Sequence, residues 1–350
     1  MFKHIFSLLL AVGFAVAPVC AQEHSSNFRK TSAWLERQQL PDGAILYSAH
    51  AINPYFANLA AIGWLQDSSK IPQVEAWMRW YIDHLNWQDY DGLYGTVYNY
   101  TYADGVETSS NTYDSADSSA ATFLTLAAAL YNTGSPDAQS FVQNTVGEYI
   151  LNVTGNVITN LQQSNGLVVA KPDYQIEYLM DNTEDYRGLK DFAALASQAW
   201  GDPGAASWYR VHASRIRSGI QSVLYISSTG LYYPYAGSLA PKLSTFYPDA
   251  VAQLYPAVQG VVAGSSKQAM HSYTAFNGAW PGWTNLSFSS QTPFPWAVVS
   301  YAAYLNGSTS SVKKYSSTIQ KKYVNGTPDF SWPFYCAEGG WFMRVNAAME

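Results

Sequence analysis

Apolar positions along this chain recur in a long beat, roughly 45–60 residues per period. Each beat has a polar stretch with amphipathic helical spacing, then a loop rich in Asp, Asn, Gly, Pro and aromatic residues. An Ala-rich stretch that is apolar on nearly every face follows. The polar stretches predict helices over Ser26–Gln39, Ile71–Leu85, Asp137–Leu151, Pro203–Leu224, Ser265–Phe276 and Ser311–Tyr323. The Ala-rich stretches predict Asn53–Gln66, Asp117–Tyr131, Asp181–Trp200, Asp249–Val261, Phe294–Leu305 and Glu338–Met349. A helix that is apolar all round must be enclosed, whereas an amphipathic one can cover it. Six such pairs predict an all-α toroid of six helical hairpins, with the apolar helices inside and the polar ones outside. That alternation gathers every loop leading into an inner helix at one end of the ring.

Local punctuation fits. Pro72 and Pro203 sit in first helical turns, and Asn132–Gly134 and Asn306–Gly307 tolerate left-handed helix ends. Alternation over Tyr90–Asn111 predicts a β-hairpin or structured lid, and Val168–Tyr178 reads as extended. No linker or charge block divides residues 22–350, which read as one domain. Residues 1–21 join a basic start, an apolar run over Ile5–Val16 and small residues at Val19–Ala21. This predicts an export signal and a secreted or periplasmic protein with no membrane span. Apart from Cys20 the only cysteine is Cys336, read as core packing.

The net charge is −6 and only 13% of residues are charged, so no basic surface is available for nucleic acid. Aromatic residues make up 15%, and many fall in loops: Trp87–Tyr90, Tyr94–Tyr100, Tyr232–Tyr235, Trp280–Trp283 and Phe294–Trp296. Flat rings with a polar edge suit the faces of sugar rings, as well as cores and interfaces. The six histidines show no metal-ligand spacing, and no phosphate-binding, dinucleotide or nucleophile-elbow motif is present. The expectation is therefore no cofactor and no metal. His50 and Asn53, at the first junction, are candidate ligand contacts.

Four other junctions carry carboxylates. Tyr113–Asp117 offers Asp114, which no cap requires, and Asp117, which suits an N-cap. The second junction holds Asp173, Tyr174, Glu177, Asp181, Glu184 and Asp185, followed by Tyr186 and Arg187. Asp181 with Glu184 has capping-box spacing, but that accounts for only part of the cluster. Crowded carboxyls push their pKa values apart, so that one keeps a proton while another is ionised, and Arg187 could hold one ionised. The third junction offers Tyr247, Asp249 and, one turn on, Gln253; the fourth offers Glu338, Gly339, Gly340 and Trp341. Such pairs suit glycosidic hydrolysis, where one carboxyl donates a proton and the other activates water or attacks the sugar.

Together the six hairpins and these junctions resemble the six-hairpin glycosidases, the (α/α)6-barrel carbohydrate-active enzymes. Tyr113–Asp117 and Tyr247–Ala250 are similar to two Asp positions of the inverting endoglucanase, chitosanase and xylanase family. That family also carries a general-acid Glu at the first inner helix, whereas Ser48–Phe56 here has no carboxylate. The resemblance implies hydrolysis of a poly- or oligosaccharide with inversion and Asp249 as the base. The acid role moves to Glu184 or Asp181, and Asp114 and Asp117 bind or share in catalysis. Trp280, Trp283, Trp296, Trp341, Tyr174, Tyr186 and Tyr247 are the candidate stacking platforms. The chain is expected to work as a monomer. A polysaccharide lyase and a non-catalytic carbohydrate-binding protein on the same toroid are the alternatives.

Overall fold

The computed structural model describes residues 24–324 and 329–350, so the export-signal reading lies outside the described residues. Twelve helical segments alternate between two rings. The outer ring is α1 (Ser26–Glu36), α3 (Ile71–Asp83), α5 (136–161), α7 (203–224), α9 (Lys267–Ala279) and α11 (Thr309–Tyr323). The inner ring is α2 (Pro54–Trp64), α4 (Ala116–Tyr131), α6 (179–200), α8 (246–258), α10 (Ala297–Leu305) and α12 (Cys336–Ala348). Each inner helix packs on the next, and α12 packs back on α2, which closes an (α/α)6 toroid.

Small residues let the inner helices meet backbone to backbone. A Cβ on Gly340 would stand 2.2 Å from the Leu59 carbonyl oxygen, and one on Gly63 would stand 2.5 Å from Gly340. Gly188 of α6 lies as close to Ala121 of α4. Gly340 is thus part of the ring closure. The apolar interface also contains one satisfied polar group. Asn58, fully buried on α2, accepts from Trp77 Nε1 at 2.9 Å and donates to Ser119 O and Thr122 Oγ1, both at 3.1 Å. This ties α2 to α3 and α4.

Two elements differ from expectation. α5 runs on to Leu161, past the predicted end at Leu151. α8 is broken instead of regular: Tyr247 is extended (φ −122°, ψ 132°), and Pro256 cannot donate to the turn before it. The alternating segment forms the hairpin β2 (Tyr100–Ala103) and β3 (Val106–Ser109), and β1 (Ala51–Ile52) adds to it antiparallel, pairing Ile52 with Tyr100. A second hairpin joins β4 (Tyr225–Ile226) to β5 (Leu231–Tyr232). No described helix is long and apolar enough to cross a membrane.

Candidate active site

The N-terminal ends of the inner helices surround a cleft of about 1100 Å³. Two carboxylates enter it from opposite members of the ring. Asp181 is the third residue of α6, the third inner helix, and Glu338 is the third residue of α12, the sixth. A six-membered ring sets those two helices across from each other.

Glu338 is almost fully buried and binds the start of the neighbouring helix. Its Oε1 accepts from Trp296 N at 3.0 Å and its Oε2 from Ala297 N at 2.5 Å. These are among the first N–H groups of α10, which have no partner within their own helix. Trp296 adopts a left-handed conformation (φ 55°, ψ 57°) and provides no side-chain cap of its own. Burial raises the Glu338 pKa to about 7, against the pull of the two N–H donors. Burial likewise raises Asp181 to about 6, offset by its own backbone N–H and by the Ser115 hydroxyl.

Tyrosines line the cleft along with the pair. Tyr55 of α2, Tyr255 of α8 and Tyr335, just before α12, all line the cleft. Burial raises the Tyr255 phenol well above its ordinary value, and the fields of Glu184, Glu338 and Asp181 add to it, so this ring sits among the acids. Tyr55 Oη donates to Glu184 Oε1 at 2.9 Å. Tyr174, Tyr178 and Tyr235 form one wall, with the Tyr174 and Tyr178 hydroxyls 2.8 Å apart. Opposite them Phe294 and Tyr335 line the cleft, and the exposed Trp332 stands 5.9 Å from the Phe294 ring. Tyr247 and Trp296 also line it, with ring centroids 4.9 Å apart.

Of the other expected residues, Asn53, Asp114, Asp173 and Trp341 line the cleft. Asn53 also caps α2, accepting from Phe56 N at 3.1 Å. Asp173 is paired with Lys171 at 3.5 Å. Three carboxyls lie under the floor instead. Asp117 is two residues inside α4, not at its N-cap, and accepts from Ser118 N at 2.7 Å and from the Ser115 hydroxyl. Glu184 forms no capping box with Asp181; it points inward to Tyr55 and to Gln259 at 3.4 Å. Asp185 is fully buried beside Asp117. Burial, then the neighbouring carboxylates, raises all three well above the usual range.

The remaining expectations are corrected. Asp249 does not line the cleft, because its Oδ2 accepts from Lys242 N at 2.8 Å in the loop before α8. Gln253 is buried and spans Tyr232 N, Tyr232 O and Asp249 O. Arg187 pairs with Asp191 at 2.5 Å, not with the acidic cluster. Tyr186 is buried outside the cleft under Lys190. Tyr113 is buried too, its hydroxyl donating to Asp89 at 2.7 Å. Trp283 is core and bonds Asn277, while Trp280 bonds Leu243 O and packs on Phe246. His50 is exposed beside Tyr102 O, away from the cleft. Cys336 is buried, as expected. Among the described residues no group of His, Cys, Asp or Glu is arranged to hold a metal ion.

No protein-family model matches this chain, and no curated protein matches it as a relative. Solved structures do match over nearly the whole chain. A structure titled as a glycosidase variant aligns with a TM-score of 0.68 at 12% identity, over 92% of this chain and 96% of its own. An α-amylase from Clostridium perfringens aligns at 0.62 and 8% identity, over 93% and 98%. A GH63 mannosylglycerate hydrolase from Thermus thermophilus, in complex with glucose, aligns at 0.60 and 12%, over 92% and 98%. At these identities the likeness is one of fold: this chain has the toroid that those glycosidases share.

Proposed function

We propose that this protein hydrolyses glycosidic bonds in a poly- or oligosaccharide, using Asp181 as proton donor and Glu338 as the carboxylate that activates water. The observation that carries this reading is the pair itself, two carboxyls facing one aromatic cleft from opposite inner helices. Glu338 suits the base, because both its oxygens already accept backbone N–H bonds, which favour the ionised form. Asp181, facing Glu338 from the opposite inner helix, is then the acid. Carboxyls set across a ring suit inversion, in which the pair stands about 6.5–9.5 Å apart with water on the far face of the sugar. The glycosidase folds of the structural neighbours support the same reaction class.

Asp114, Asp173 and Asn53 offer acceptors to sugar hydroxyls, and Tyr174, Tyr247, Trp296 and Trp341 offer ring faces. An export signal over residues 1–21 and a monomeric, secreted or periplasmic enzyme complete the reading. The test is incubation of the purified chain with neutral and acidic polysaccharides, reading reducing ends and ultraviolet absorbance together. New reducing ends without absorbance are expected. Absorbance from a new double bond would make the protein a lyase, and silence in both would make it a binding protein.

A further inference from the structure

Trp87 and Tyr149 lie outside the cleft, and nothing in the proposed reaction uses them. Both rings are open to solvent, 49% and 69% exposed, yet they lie within 15° of parallel with centroids 6.1 Å apart. The loop that carries Trp87 is fixed at many points. Asn86 N donates to Thr96 O and Gly95 N to Asn86 O, both at 2.8 Å. The buried Asp89 carboxylate accepts from Asp91 N, Leu93 N, Thr96 Oγ1 and Tyr113 Oη, all within 2.9 Å. Gly95, at φ +89°, presses the loop onto α5, where a Cβ would meet the Val153 carbonyl oxygen at 2.8 Å. A rigid scaffold thus holds large rings in water, which is unfavourable unless something covers them.

The same loop reaches the cleft. Tyr90, half exposed, lies 3.5 Å from Lys171 Nζ, and Lys171 lines the cleft. Carboxylates border this path at Asp91 and Asp173, with Lys171 already paired to Asp173. That charge disfavours an anionic polymer.

We propose that Trp87 and Tyr149 form a second carbohydrate-binding surface, reached past Tyr90, which holds an outlying part of a neutral polysaccharide strand whose scissile bond lies in the cleft. The choice of a sugar polymer rests on the hydrolase reading; the binding test does not need turnover. The full chain and its Trp87→Ala/Tyr149→Ala variant are run in native gels containing soluble starch, xylan, mixed-linkage glucan or galactomannan. Retardation of the parent in at least one gel is expected, with affinity at least fivefold weaker in the variant. Trp87→Phe, which keeps a ring, should retain most of the retardation. Turnover of a short oligosaccharide of the same sugar should stay within twofold. Equal retardation of parent and variant, or retardation of the parent by none of the four, overturns the proposal. So does a dimer in solution that the double variant dissolves. Should the parent bind but cleave nothing, the hydrolase reading fails while this surface stands.

Discussion

Asp185 lies beside Asp117 in the core beneath the cleft, and no N–H or O–H group of the described chain donates to either Asp185 oxygen. A proton held between the two acids is the hydrogen bond open to them. Burial and the neighbouring carboxylates raise both pKa values well above the usual range. The folded chain therefore holds protons here that the unfolded chain releases above about pH 4. Stability falls as pH rises from there towards the folded pKa. Asp185→Asn keeps the shape, and its amide can donate to Asp117 at any pH. The expected result is a higher melting temperature than the parent at pH 8 and little difference at pH 4, read by thermal denaturation.

The pH dependence of turnover follows from the raised Asp181 and Glu338. Below about 6 both carboxyls carry protons and no base remains, while above about 7 both are ionised and no acid remains. One proton on the pair is the competent form, so kcat/KM should be bell-shaped with its maximum between pH 6 and 7. An initial-rate profile on any cleaved substrate checks this. A flat profile from pH 5 to 8 would remove the pair.

Ring closure rests on Gly340, where a Cβ would stand 2.2 Å from the Leu59 carbonyl oxygen. Gly340→Ala must push α12 away from α2, at a cost of about 1–3 kcal/mol. Glu338 is two residues earlier on the same helix, so the shift should also lower turnover. Urea unfolding together with kcat measures both. A variant of unchanged stability would mean that the two helices are not in contact.

Most of the architecture was legible in the sequence because it rests on composition. Helices that are apolar all round, such as α4, have to lie inside, and their alternation with amphipathic ones leaves few other arrangements. The end of the ring that holds the cleft followed from the same alternation. The site was legible only as a set of candidates, because Asp and Glu near a helix start look alike whether they cap, bury or face a cavity. Asp249 and Asp181 stand at similar junctions, but the break at Tyr247 turns Asp249 to the Lys242 backbone. Glu338 has its prominence from N–H groups 41 and 42 residues away in sequence, which no local pattern reveals. Tyr55 and Tyr255 were hidden among 27 tyrosines and stand out only once the ring brings them to the acids.

The most direct test of the account is the kcat of three single variants on one cleaved polysaccharide, each first shown to be folded by its thermal transition. Asp181→Asn and Glu338→Gln should each lose about 10²–10⁴-fold in kcat. Asp249→Asn, outside the cleft, should stay within about threefold of the parent, allowing for the lost bond to Lys242. Near-parental turnover in Asp181→Asn or Glu338→Gln, or its loss in a folded Asp249→Asn, would contradict the account and return the catalytic base to the start of α8.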